Sequence, residues 1–178
     1  VSGEPTISCR ESQGTGKAIS TTTSEGVLTM FGCEAELLGI KAKCTSEGQS
    51  SGTIAIAGTV SHLIYLDENH TKVGVLATPP AGGLFTKFTC AGFATIEVKG
   101  TGVIGEVTSP KCGATSKQAT VVAQATGSTQ KYRQIEETGT FYQLEAATKG
   151  GEFKPAGTNW TVTGTSATEG TLTCPEQK

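Results

Sequence analysis

Two short patterns in the chain have the spelling of reactive or ligand-holding loops. Gly48-Gln49-Ser50-Ser51-Gly52 reads GxSxG, the spacing that sets a serine hydroxyl on a sharp strand-to-helix turn where a histidine and an acid can activate it. Here Thr45 to Gly52 (TSEGQSSG) is a polar loop that leads into an alternating apolar run rather than a helix, so the pattern reads as a turn. Gly100-Thr101-Gly102-Val103-Ile104-Gly105 reads GxGxxG after another alternating run, which is half of a dinucleotide fingerprint. The other half is a helix whose N-terminus holds the pyrophosphate, and Val107-Thr108-Ser109-Pro110 cannot open one. In a chain with 24 Gly, these glycines read as a bulge or a close strand crossing.

The titratable side chains are as sparse. His62 sits in an apolar run and His70 in a turn, and spacing assigns a nucleophile to neither. Asp67 is the sole aspartate, whereas calcium loops gather several. Glu136-Glu137 reads as a solvated pair at a turn, because a glycosidase dyad needs two carboxylates brought in on separate strands between aromatic walls. Aromatics are only 6% of the chain, and the single Trp160 with Phe141 and Tyr142 is a candidate sugar-stacking platform, set against plain core packing of the same rings. Asn69-His70-Thr71 and Asn159-Trp160-Thr161 are sequons by pattern, and Asn159 is the amide that a lysine crosslink would use. No catalytic residue, cofactor-binding residue or metal ligand is assigned, and the chain is read as not an enzyme.

Charge narrows the partners. Fourteen Lys and Arg against sixteen Asp and Glu give a net charge of -2 with no long run of either sign, which supplies no field for nucleic acid or an anionic membrane. The longest apolar runs, such as Val60 to Leu66, fall well short of the roughly 20 residues a spanning helix needs, so no membrane insertion is expected. Val1-Ser2-Gly3-Glu4-Pro5 has neither a basic nor an apolar leader region, and a removed leader is the reading the cysteines favour.

Those six cysteines, Cys9, Cys33, Cys44, Cys90, Cys112 and Cys174, contain no CxxC pair and no histidine at zinc-site spacing. They read as a disulfide framework, and with the low charge and high Thr and Gly they point to a secreted protein, extracellular or at the cell surface. Counting alone allows fifteen pairings. Local geometry favours Cys33 with Cys44, which flank a short apolar hairpin, and Cys174 is expected to tie the last strand back to Cys112.

The elements that position all of these are strands. Leu84 to Val107 (LFTKFTCAGFATIEVKGTGVIGEV) alternates with period two: Leu84, Thr86, Phe88 and Cys90 share one face, and Ala94, Ile96 and Val98 share the next. Before it, Thr6 to Arg10 is a short strand, Gly14-Thr15-Gly16 a flexible link, and Lys17 to Thr23 with Val27 to Phe31 a hairpin around Ser24-Glu25-Gly26. Glu34 to Lys43 has some helical composition, but Gly39 and the alternation of Leu38, Ile40, Ala42 and Cys44 favour strand. Thr53 to Leu66 alternates through Ile54, Ile56, Gly58, Val60, His62, Ile64 and Leu66, as two strands or one bent strand, and Asp67 to Lys72 turns it into Val73 to Ala77. Short runs bounded by glycine turns follow to Cys174. The expectation is an all-β fold: a disulfide-stapled antiparallel β-sandwich or barrel of roughly ten to twelve short strands with little or no helix. A length of 178 residues suits a single secreted β domain over 1–178, with 113–178 as an optional second sheet or appended lobe. Roughly thirty Thr residues take the place of Lys and Glu on exposed strand faces.

The succession TISCRE, LTMFGCE with KAKCTSEG, SSGTI, SHLIYLDENHTKVGV, LFTKFTCAG and IEVKGTGVIGEVT, followed by a late Gln-rich strand pair, resembles a family of secreted proteins encoded in multiple copies by soil actinobacteria of the Solirubrobacter type. The likeness runs over nearly the whole chain. It implies export, a β-rich fold, and pairing of Cys9 with Cys90 and of Cys33 with Cys44. Cys112 and Cys174 lie outside that pattern and pair with each other by remainder. The family carries no established activity.

The function expected from these readings is a non-enzymatic extracellular structural protein, a bacterial surface, matrix or fibre subunit that self-assembles into a homo-oligomer or filament. The strand-like start, Pro5, Thr6 and Ile7 within Val1 to Ser8, is a candidate donor strand for a neighbour's open sheet edge. The alternative is an extracellular module that binds a glycan or another small ligand through Trp160 and Tyr142. Neither reading calls for a cofactor.

Overall fold

Alternation with period two, interrupted at short intervals by glycine and Asx turns, makes the chain a succession of strands. A computed structural model describes residues 6–37, 39–91, 94–135 and 138–175, with no helix among them. In chain order the strands are β1 (Thr6–Ser8), β2 (Glu11–Ala18), β3 (Thr23–Phe31), β4 (Glu34–Leu37), β5 (Ile40–Thr45), β6 (Thr53–Tyr65), β7 (Val73–Thr78), β8 (Leu84–Cys90) and β9 (Ala94–Gly100). They continue with β10 (Val103–Ser109), β11 (Thr115–Ala123), β12 (Ala125–Thr126), β13 (Thr129–Gln130), β14 (Gln134–Ile135), β15 (Thr140–Phe141), β16 (Leu144–Thr148), β17 (Lys154–Ala156) and β18 (Trp160–Thr171). Eleven of these have five residues or more, in line with the ten to twelve expected.

Two seven-stranded sheets hold the fold. Sheet I runs β1-β4-β5-β8-β9-β16-β17 and sheet II runs β18-β11-β10-β7-β6-β3-β2, antiparallel at every junction. Both curl, one as a half-barrel and the other as a near-barrel, and neither closes. Their facing sides pack through Cys33, Ala35, Phe88 and Ile96 of sheet I against Ile54 and Met30 of sheet II, and through Phe85 and Leu144 against Val103 and Ala123. Polar groups trapped between them are satisfied. The Thr86 hydroxyl donates to the Ala55 carbonyl at 2.7 Å, and the Ser46 hydroxyl donates to the Lys87 carbonyl at 3.0 Å while accepting from the Ala55 N–H at 3.2 Å.

Sheet II is covered on its other side as well. Ile104 and Leu76, register partners on β10 and β7, pack with Leu66, Ile135, Tyr132 and Tyr142, so the β14–β15 hairpin shields that face. Burial on both faces explains why Val103, Ile104 and Gly105 are buried in succession.

The alternating run of β6 is one bent strand. Gly58, at φ 62°, sits where the register with β3 slips from Gly26↔Thr59 to Leu28↔Ile56. One extra residue exchanges the faces. Ile54 and Ile56 therefore point to sheet I, whereas Ile64 and Leu66, still even-numbered, join the cluster on the opposite face.

Three expectations are corrected. The first hairpin turns at Ile19 to Thr22, where the Ser20 hydroxyl accepts from the Thr22 and Thr23 N–H groups, so Ser24-Glu25-Gly26 lies inside β3 and Gly14-Thr15-Gly16 inside β2. The segment from Gly113 onward is not set apart as one second sheet or lobe: β11 and β18 belong to sheet II, β16 and β17 to sheet I, and only the two-stranded hairpins β12–β13 and β14–β15 pair apart from them. The disulfides are Cys9–Cys33, Cys44–Cys90 and Cys112–Cys174, so neither Cys9–Cys90 nor Cys33–Cys44 forms.

Strand order is the reason for that pairing. Cys9 lies one residue past the Ser8↔Glu34 pair, Cys33 and Cys44 one residue past Glu34↔Lys43, and Cys44 directly opposite Cys90. The four make one row across β1, β4, β5 and β8. Adjacent members can bond, and both bridges have Cα atoms 4.0 Å apart. Cys9 and Cys90 stand three strand spacings apart, about 14 Å, twice the reach of a disulfide. At the middle of the row the Cys44 N–H donates to the Cys33 carbonyl at 2.9 Å.

Candidate functional site

The two loop patterns of the sequence are structural. Ser50 lies in the β5–β6 turn with its hydroxyl against that of Thr53 at 3.1 Å, and the turn is closed by Gln49 N–H to Ser46 C=O and Thr53 N–H to Ser50 C=O. The histidines are engaged elsewhere: His62 Nδ1 is 3.3 Å from the Thr23 hydroxyl, and the His70 ring stacks on Tyr65 at 4.3 Å. The glycines of GxGxxG mark close approaches. A Cβ on Gly100 would meet the Gln143 carbonyl, one on Gly102 would meet Leu76 and Tyr142 at 2.7 Å, and one on Gly105 would meet Val121 at 2.7 Å.

The candidate ligand platform is divided. Trp160, opposite Ala123, packs with Phe85, Val103 and Leu144 between the sheets, whereas Tyr142 packs with Leu76 and Ile104 on the other face of sheet II. Val103 and Ile104, against which the two rings pack, are successive in β10 and point to opposite faces of sheet II, so the two rings cannot stack one sugar. Phe141 is exposed, with the Arg133 guanidinium 5.3 Å from its ring centre. Asn159 accepts from the Ala125 N–H at 2.7 Å through its side-chain oxygen, which ties the start of β18 to that of β12. Glu136 and Glu137 lie outside the described residues.

Among the described residues, one hydrogen-bonded network links more than two side chains. Glu106 on β10 accepts from the Tyr132 hydroxyl at 2.8 Å and from the Lys131 ammonium at 3.1 Å, and Lys131 also donates to the Gln124 side-chain oxygen at 3.2 Å. The Tyr132 hydrogen bond, then that of Lys131, holds the Glu106 carboxyl below its usual range. The Glu106 hydrogen bond raises Lys131, and burial, then Glu106, raises Tyr132. The network fastens the 124–143 hairpins to sheet II. Asp67 is likewise lowered by the Thr71 hydroxyl and the Lys72 and Thr71 N–H groups, which make it a turn-former.

What the fold leaves unpartnered is backbone at the sheet edges. Sheet I ends in β1 and β17, three residues each, with Pro155 in β17, the short and proline-bearing edges that resist further pairing. Thr6 and Ile7 of the candidate donor segment are already paired with Glu36 and Ala35 of their own chain, and Cys9 is bonded to Cys33. Pro5 lies outside the described residues. Sheet II ends in β2, eight residues all exposed, and β18, twelve residues exposed except for half-buried Trp160 and Val162. Sequence reasoning missed this pair, because an edge is a property of strand order.

No family model, curated protein or solved structure matches the chain. The class defined by the fold is an all-β, antiparallel, two-sheet protein with three disulfides, which belong to an oxidising compartment.

Proposed function

We propose that the chain is a non-enzymatic structural protein of the bacterial cell surface or extracellular matrix that acts by self-association. The observation that carries this reading is the contrast between the blunted edges of sheet I and the two long, exposed edges of sheet II. A long edge strand presents unpaired N–H and C=O groups to another chain, and soluble monomers ordinarily cover or shorten it. Export is supported by the disulfides and by the Thr-rich exposed strands, on which hydroxyl pairs such as Thr120 with Thr163 and Thr115 with Thr171, both 3.0 Å, do the cross-strand work of ion pairs.

Donation of the N-terminal strand is the more demanding route, since β1 would first leave β4. Edge-to-edge pairing displaces nothing. The test is sedimentation of the non-reduced protein over a wide concentration range, with negative-stain microscopy of the same samples. Concentration-dependent oligomers or regular fibres are expected, and a uniform monomer throughout would overturn the reading. Deletion of residues 1–8 separates the routes: edge pairing survives it and strand donation does not.

A further inference from the structure

The β2 edge fits one occupant closely, and we propose that it docks the same edge of a second copy of the chain, antiparallel, about a two-fold axis through Gly14. This deepens the self-association reading and rests on it.

The edge is regular and open. Its register with β3 is unbroken from Glu11↔Phe31 to Ala18↔Ser24, and it contains no proline. The Ile19 N–H bonds to the Thr23 carbonyl at 2.9 Å, which sets the phase. Residues 11, 13, 15 and 17 therefore turn their backbone groups to β3, and Ser12, Gly14, Gly16 and Ala18 turn theirs to the open side. The opposite edge is less regular, because β18 shifts register against β11 from Gln118↔Thr165 to Ser116↔Gly170, and such an irregularity bends an edge away from a partner.

Parity selects the symmetry. With seven strands antiparallel at every junction, β2 and β18 run in the same direction. Stacking copies by translation would create a parallel junction, whereas a two-fold axis at β2 creates an antiparallel one like every other in the sheet.

Charge then selects the register. Only registers that set even-numbered residues opposite even-numbered ones match the outward donors and acceptors. With Gly14 opposite Gly14 of the second copy, Ser12 faces Gly16 and Glu11 faces Lys17, each twice. Lys17 lies 3.6 Å from Glu25 of its own chain, while Glu11 has no ion-pair partner among the described residues, so the second copy extends Glu25–Lys17 into a three-charge row. Pairs 12–16, 14–14 and 16–12 supply about six backbone hydrogen bonds.

The test uses the full chain. Gly14 lacks a positive φ, and a Cβ there meets only Val27 O at 3.4 Å and Leu28 Cδ1 at 3.6 Å, so Gly14→Cys fits the strand. Under mild oxidation Gly14→Cys should give a covalent dimer on a non-reducing gel. Thr15→Cys should not, because its two copies stand about 8 Å apart in this register, beyond disulfide reach. Independently, Glu11→Lys and Lys17→Glu should each weaken dimerisation in low salt about three- to tenfold, and the double variant should restore it. If the wild type associates but the crosslink is absent and the charge variants behave like wild type, the two-fold β2 contact is overturned while self-association stands. If the wild type never associates, both fall. The charge cycle decides the matter even if Gly14→Cys fails to fold.

Discussion

Glu106 is the residue where hydrogen bonding most alters the chain's acid–base behaviour. Its carboxyl is held below the ordinary value of about 4.3 by Tyr132 and Lys131, so its contribution to stability is present above that value and is lost as pH falls through the lowered folded-state value. Glu106→Gln should remove about 1 kcal/mol at neutral pH, because the site is partly solvated, and should flatten the acid limb of the stability profile. Urea midpoints from pH 2 to 7 would show this, and an unchanged acid limb would mean that the network holds nothing in place. Lys131 has the opposite sign: its raised value gives a contribution present below the unfolded pKa and lost as pH rises through the folded one. The sequence does not signal this group, since Glu106, Tyr132 and Lys131 meet only because the 124–143 hairpins fold over β10. Asp67 is the contrast. DENHTK is legible as a turn because the whole mechanism, an Asp accepting from the N–H groups of Thr71 and Lys72, lies within six residues.

Among the elements, the glycines of β9 and β10 and the cysteine row make separable predictions. Gly105→Ala brings a methyl against Val121 and Trp160, and Gly100→Ala brings one against the Gln143 carbonyl. A backbone obstacle yields less than a side chain, so both should destabilise by about 1–3 kcal/mol with Gly100→Ala the worse. Thermal melts of the two variants rank them. Cys44→Ala/Cys90→Ala and Cys112→Ala/Cys174→Ala open loops whose bridged residues are 46 and 62 apart in sequence, so their unfolded-state terms are nearly equal, about 4 kcal/mol on the chain-entropy model. Cys44 and Cys90 are 0% and 1% exposed, whereas Cys112 and Cys174 lie on the surface. The buried pair should therefore lower the melting temperature more, and equal losses would show that packing around the row adds nothing. The strands themselves were legible because period-two burial is local. The pairing of Cys9 with Cys33 was not, because it depends on β1 lying beside β4 rather than β8, an order fixed by contacts far apart in sequence. Gly14-Thr15-Gly16 was misread for a similar reason: glycine weakens a strand, but eight register pairs with β3 outweigh that local preference.

At the scale of the molecule, the first two strands and the last two are the four sheet edges. β1 and β2, successive in sequence, are edges of sheets I and II, and β17 and β18, also successive, are the other two edges. A two-fold contact at β2 uses up the first rim and closes as a dimer, so growth beyond a dimer has to use the second. The end of that rim is tied down by Cys112–Cys174, since the far half of β18, past its register shift, leads directly into Cys174. Cys112→Ser/Cys174→Ser should therefore leave the monomer–dimer equilibrium within about twofold of wild type and alter only the step from dimer to larger species. A free β18 end either lengthens the pairing edge or frays it. Sedimentation velocity at a temperature well below the variant's melting transition separates the two steps. With β2 closed first, larger species assembled from those pairs should be even-numbered. A shift in the dimer step with the larger species unchanged would move the first contact to the β18 rim, and trimers as the first product would exclude two-fold closure at either edge.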